Sequence, residues 1–100
     1  MLYLAMIEDD PARVADKPQH QAAHVAYLDG NSRSGTLAAA GPMLDPDSGA
    51  QIGAMWSIEA PSAGEARKVV ESDPFYKAGI RKSVRLMQWK QVFKDGKKIG

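Results

Sequence analysis

One hundred residues suffice for one domain, and 44% apolar with 25% charged residues is the balance of an ordinary globular chain. Thirteen Lys and Arg stand against twelve Asp and Glu, a net charge of +1, which builds no field strong enough to gather nucleic acid. The absence of cysteine excludes disulfides, thiolate zinc sites and cysteine nucleophiles, and it suits a reducing compartment.

Taken in chain order, residues 2–7 form a short apolar run ended by Glu8, Asp9, Asp10 and Pro11. No basic segment precedes it and it is too short to span a bilayer, so it predicts a buried central strand rather than a signal or membrane segment. A cytoplasmic protein without a membrane partner is expected. Pro18 suits the first turn of a helix, with Asp16 as its cap, and the pattern stays helical to about Ser34. Ala22, Val25 and Leu28 lie three apart and predict the helix's apolar stripe. A second strand is expected over Thr36–Leu44, with Pro42 at an edge or strand end because proline cannot donate to a ladder.

Asp45-Pro46-Asp47-Ser48-Gly49 is turn chemistry, and Ile52–Glu59 alternates as a third strand. Ser62 followed by Glu65 has capping-box spacing and opens a second helix ended by Ser72-Asp73-Pro74. Phe75–Ala78 predicts one helical turn stopped by Gly79, and Ser83–Phe93 a last strand. Residues 94–100 are a basic tail expected to fray, with too few lysines to argue for nucleic acid.

Strand, helix, strand, strand, helix, strand is the order of an α+β, ferredoxin-like βαββαβ domain over residues 1–100. Both helices then cover one face of a four-stranded antiparallel sheet. Trp56, Met55, Met87 and Trp89 are expected on the other face. A bare apolar sheet face marks an interface, and a core this small gains from further burial, so a homodimer packed sheet to sheet is expected.

Two residues about 50 positions apart carry the candidate chemistry: His24 on the first helix and Asp73 at the turn after the second. An imidazole oriented by a carboxylate is an acid/base unit suited to proton transfer near neutrality. At about 100° per residue His24 lies about 40° from Leu28, at the edge of the predicted stripe, where it can reach a cleft. Gly41 and Pro42 are expected to wall that cleft, with Phe75, Tyr27 and His20 as further candidate substrate contacts. His20 and His24 have i, i+4 spacing, but two histidines alone argue weakly for a metal, and none is expected. Ser57, Ser72 and Ser83 lack a nucleophile context, and no Gly-rich phosphate loop is present.

His24-Val25-Ala26-Tyr27-Leu28, Gly35-Thr36-Leu37, Ala40-Gly41-Pro42, Gly53, Asp73-Pro74-Phe75, Ala78-Gly79, Val84 and Trp89 together make the chain resemble the YciI-like family, also called the YCII-related domain. The resemblance covers nearly the whole chain. It implies a ferredoxin-like fold, commonly dimeric and related to the dimeric α+β barrels, and a site built on a helix histidine and the Asp-Pro-Phe aspartate, here His24 and Asp73. It also implies an activity such as dehydrochlorination of a chlorinated, hydroxylated aromatic ring. Many relatives carry arginine three residues before the histidine, where this chain has Gln21.

The reading is thus a small enzyme, a lyase or isomerase without a cofactor, acting on a small cyclic or aromatic substrate through His24 and Asp73. The alternatives are a dimeric module that binds a small acidic or phenolic molecule without turning it over, and a structural dimer with no site.

Overall fold

The chain is described here by a computed structural model covering residues 1–100. Strand β1 (Leu2–Asp9) leads through a single 3-10 turn (Val14–Asp16) into helix α1 (Lys17–Arg33). Strands β2 (Leu37–Leu44) and β3 (Gln51–Glu59) follow, then α2 (Ala63–Glu71), the one-turn helix α3 (Pro74–Lys77) and β4 (Arg81–Gln88). All pairings in the main sheet are antiparallel, and its order is β2-β3-β1-β4, the ferredoxin-like arrangement. No helix is long and apolar enough to cross a membrane.

Alternation along β1 sets the layers. Tyr3, Ala5 and Ile7 are buried under the helices with Ala54, Trp56 and Ile58 of β3 and Ala66 and Val70 of α2. Register seats Ala5 opposite Trp56 and Ala54 opposite Ile7, so in both pairs a small side chain faces a large one. Each buried isoleucine contributes roughly 1.5–3 kcal/mol relative to exposure. Trp56, expected on the bare face, is 1% exposed and belongs to this core. Neighbours along a strand point to opposite faces, so Trp56 and Met55 cannot share one. The uncovered face instead carries Met6 opposite Met55 and Leu4 opposite Met87.

The first helix also packs differently from its apolar pattern. Val25 is 50% exposed and Ala22 is exposed, whereas Lys17, His20, His24, Tyr27, Leu28 and Asn31 turn inward. His24 is therefore at the middle of the inward face, not at its edge. The reason is that this face meets the polar junction after α2 rather than a continuous apolar layer. Asp16 stands at the cap position of α1 but gives its carboxylate to Arg13 Nε at 2.7 Å.

Other local signals operate as their chemistry dictates. Ser62 Oγ accepts from the Glu65 N–H at 3.2 Å at the start of α2. Gly79 takes φ +78° after α3, a conformation glycine adopts without cost. Pro42 lies on β2, an edge strand, where its missing donor harms no further ladder. The last strand of the sheet ends at Gln88, five residues short of the expected Phe93. Beyond it, the segment expected to fray pairs as a hairpin of β5 (Phe93–Lys94) with β6 (Lys97–Lys98). Asp95 and Gly96 make its turn with φ of +53° and +76°, the two positive values a type I′ turn requires.

Gly53 marks the tightest approach in the sheet. A Cβ there would lie 1.8 Å from the Ile7 carbonyl oxygen, with backbone on both sides of the contact. Gly53→Ala is expected to separate β1 from β3 and to cost roughly 2 kcal/mol or more, read as a lower urea midpoint. Gly41→Ala, whose Cβ meets nothing within 4 Å, serves as the control with a midpoint close to the parent's.

Candidate active site

The site begins at the join between α2 and α3. Asp73 precedes Pro74, which holds it out of the helical region at φ −63°, ψ 133°. Its side chain does not cap α3 and is free to point away from its own helix. It points at α1, where Asp73 Oδ1 meets His24 Nδ1 at 2.6 Å. Asp73 is fully buried and the His24 side chain is 10% exposed. A carboxylate accepts, so Nδ1 carries the proton of this bond and Nε2 is the nitrogen left for other partners. The turn of α3 also places Phe75, whose ring stacks on the imidazole at a centroid distance of 3.9 Å and an interplanar angle of 10°.

Three charged side chains that the sequence reading did not single out surround this pair. Arg81 Nη1 donates to Asp9 Oδ1 at 2.7 Å, and Lys17 Nζ donates to Asp9 Oδ2 at 2.6 Å. Arg81 Nη2 stands 3.6 Å from Asp73 Oδ2. Charges thus alternate from Lys17 through Asp9 and Arg81 to Asp73, which holds the His24 imidazole. A register shift between Glu8 and Asp9 sets Arg81 opposite Asp9, bringing the first residue of β4 to the helix side. That shift is set by tertiary pairing, and no periodicity in Gly79-Ile80-Arg81-Lys82 announces it.

A cavity of about 280 Å³ opens beside His24 between α1 and strands β2 and β3. His24, Phe75 and Trp56 line it together with Val25 and Leu28 of α1 and Gly41 and Pro42 of β2. Lys17, Gln21, Gln51 and Arg81 supply its polar lining. Of the candidate contacts, Gly41, Pro42 and Phe75 therefore border the cleft with His24. Tyr27 and His20 do not. His20 is half-buried one turn away. Tyr27 donates its hydroxyl to the Val69 carbonyl at 2.5 Å, satisfying an acceptor in the last turn of α2. That bond fastens α1 to the end of α2, just before Asp73. No three histidine, aspartate or glutamate side chains converge as a metal cluster.

The model of the YCII-related domain matches residues 1–90. The chain belongs to the YCII-related family. The match ends before the β5-β6 hairpin. Among solved structures, the chain is similar to 5-chloro-2-hydroxyhydroquinone dehydrochlorinase from Burkholderia phenoliruptrix AC1100, in complex with 2,5-dihydroxybenzoquinone. The two are 32% identical, the match covers 90% of this chain and 94% of the other, and the TM-score is 0.77. No curated protein matches the sequence.

Within this YCII-related domain, burial pushes the Tyr27 phenol above the ordinary tyrosine range, more than the neighbouring Asn31 and Ser72 side chains pull it down. A raised value means that the folded chain holds this proton more tightly than the unfolded chain. The resulting stability is present below the unfolded phenol's value of about 10 and is lost as pH rises through the higher folded value. Absorbance titration is expected to show a phenolate phase later than that of free tyrosine. Tyr27→Phe should remove that phase and cost about 1 kcal/mol through the unpaired Val69 carbonyl.

Proposed function

We propose that this YCII-related protein is a cofactor-independent acid/base enzyme that eliminates a leaving group from, or isomerises, a small cyclic or aromatic substrate. The observation that carries the reading is the buried His24–Asp73 bond of 2.6 Å at the wall of a cavity of about 280 Å³. That volume lies at the lower end of ligand sites and suits a molecule of one ring. The similarity to a dehydrochlorinase holding a dihydroxybenzoquinone supports the same substrate class.

In this reading His24 Nε2 takes a proton from the substrate. The electron pair left behind moves into the ring system and expels the leaving group with its own bonding pair. For a chlorinated ring the sum is loss of a proton and chloride. For an isomerisation the imidazolium returns the proton to a different carbon, and nothing leaves. Asp73 holds the ring with Nδ1–H directed to itself and stabilises the imidazolium that forms. Phe75 keeps the imidazole plane fixed by stacking. Lys17 places a cation in the cavity lining, where negative charge develops on a ring oxygen.

His24→Ala is expected to lower turnover by about 10²–10⁴-fold on a chlorinated hydroxyquinol or an unsaturated lactone, the range for one acid/base group. Asp73→Asn should lower it too, since an amide neither fixes the tautomer in the same way nor balances an imidazolium. Because His24 lies inside the packed face of α1, circular dichroism at the assay temperature accompanies the rates. A folded His24→Ala protein that turns over an accepted substrate at the parental rate contradicts the mechanism. Binding of such a ring without turnover by the parent leaves the small-molecule-binding module as the better reading.

The homodimer belongs to the same proposal. Leu4, Met6, Met55 and Met87 make an apolar patch on the face that no helix covers, and a second copy of that face is its natural complement. Sedimentation at micromolar concentration is expected to give twice the 10.8 kDa chain mass. Met55→Lys should shift the protein towards monomer, whereas a parent that sediments as a monomer removes the dimer.

A further inference from the structure

We infer that Arg81 is a positioning residue for the His24–Asp73 pair, supplying the cation that Asp73 faces and fixing the ring on which His24 stacks. The inference rests on the reading of His24 as the proton carrier. Three contacts argue for it. The Arg81 side chain is 3% exposed and its Nη1 is held by Asp9 at 2.7 Å, so the guanidinium has a set place. Its Nη2 stands 3.6 Å from Asp73 Oδ2. That is beyond a hydrogen bond, and Oδ2 accepts none from the chain. The effect is therefore chiefly that of charge on a carboxylate with little solvent around it. The guanidinium carbon also lies 5.1 Å from the Phe75 ring centroid, a cation–π distance, and Phe75 is the ring stacked on His24. Arg81 thus bears on both neighbours that orient the imidazole while making no bond to the imidazole itself.

The direction of its influence follows from the charges around the pair. Lys17 approaches from α1, Asp9 from β1, Arg81 from β4 and Asp73 from the α2–α3 join. The β2 and β3 strands contribute only uncharged side chains to the cavity. With Asp9 shared between two cations, Arg81 leaves net positive charge next to Asp73. That charge favours the carboxylate and opposes a further proton on the pair. Removing it lets the pair take up a proton more readily, whichever member holds it.

The test follows the His24 imidazole by nitrogen-resolved NMR titration of the free protein, so it does not depend on a substrate. Arg81→Gln is expected to raise the pH at which the imidazole titrates. Arg81→Lys keeps the charge and should restore the titration to near the parent's. A residue that only packs would change the thermal midpoint and leave the titration in place. A folded Arg81→Gln protein with the parental titration overturns the inference. If Arg81→Gln does not fold, Asp9→Asn is read instead. There the Arg81 charge falls undivided on Asp73, and His24 should titrate at lower pH; an unchanged or higher titration overturns the inference equally. Failure of His24→Ala to slow turnover would strike the proposed mechanism and leave this titration result standing, so the two failures are separable.

Discussion

The arrangement depends on one bond, between His24 Nδ1 and Asp73 Oδ1, closed where water scarcely reaches. A lone buried carboxylate would cost several kcal/mol. Here the surroundings offset that cost in three ways. The imidazole N–H is aimed at it, Arg81 stands behind it, and Pro74 fixes the backbone that carries it. Remove any one partner and a buried charge remains with less to balance it. This is why the region reads as a unit rather than as a set of separate contacts. Tyr27 belongs to that unit without touching the cavity, because its bond to Val69 holds the two helices at the separation the pair needs.

The cavity has an equally plain origin. On the helix side of β2 stand Ala40 and Pro42, paired with Trp56 and Ala54, compact side chains that leave space below α1. The side of α1 turned towards them carries Gln21 and Val25, which stop short of filling the gap. Volume is left over beside His24, bounded by Trp56 below and Phe75 at the end. Alanine carries little strand propensity. The strand forms because β3 pairs along its length, with irregular register near both ends.

Much of this was legible in the sequence, and the exceptions have physical causes. The order of elements followed from short apolar runs and breakers, and the start of α2 from Ser62 and Glu65. His24, Asp73, Phe75 and the Gly41-Pro42 segment were placed near one another by the family resemblance more than by periodicity. Periodicity misled on α1, because Val25 and Leu28 border a cavity and the inward face is polar. The placement of Trp56 on the bare face went against periodicity, since its parity along β3 is that of the buried Ala54 and Ile58. Arg81 and Asp9 were passed over because their meeting depends on a register shift that only the folded sheet displays. The Asp95-Gly96 turn was a readable signal, hidden by the lysines around it.

The two kinds of residue at the site carry different information. On the proposed reading, proton transfer by His24 depends on the charged series Lys17, Asp9, Arg81 and Asp73, whose members constrain one another through charge. A change in one alters the balance at the next, so the series resists piecemeal replacement. The cavity's outer lining is not coupled in that way. Gln21, Val25 and Pro42 touch the empty volume, and a substitution there changes shape and polarity without touching the pair. Gln21 brings no charge to that wall. Lys17 and Arg81 remain as the charged side chains of the lining. On the proposed reading, a substitution in the outer lining therefore alters which ring is accepted and leaves the proton transfer in place. Differences in substrate should then track the outward side of α1 and the β2 edge, not the join between α2 and α3.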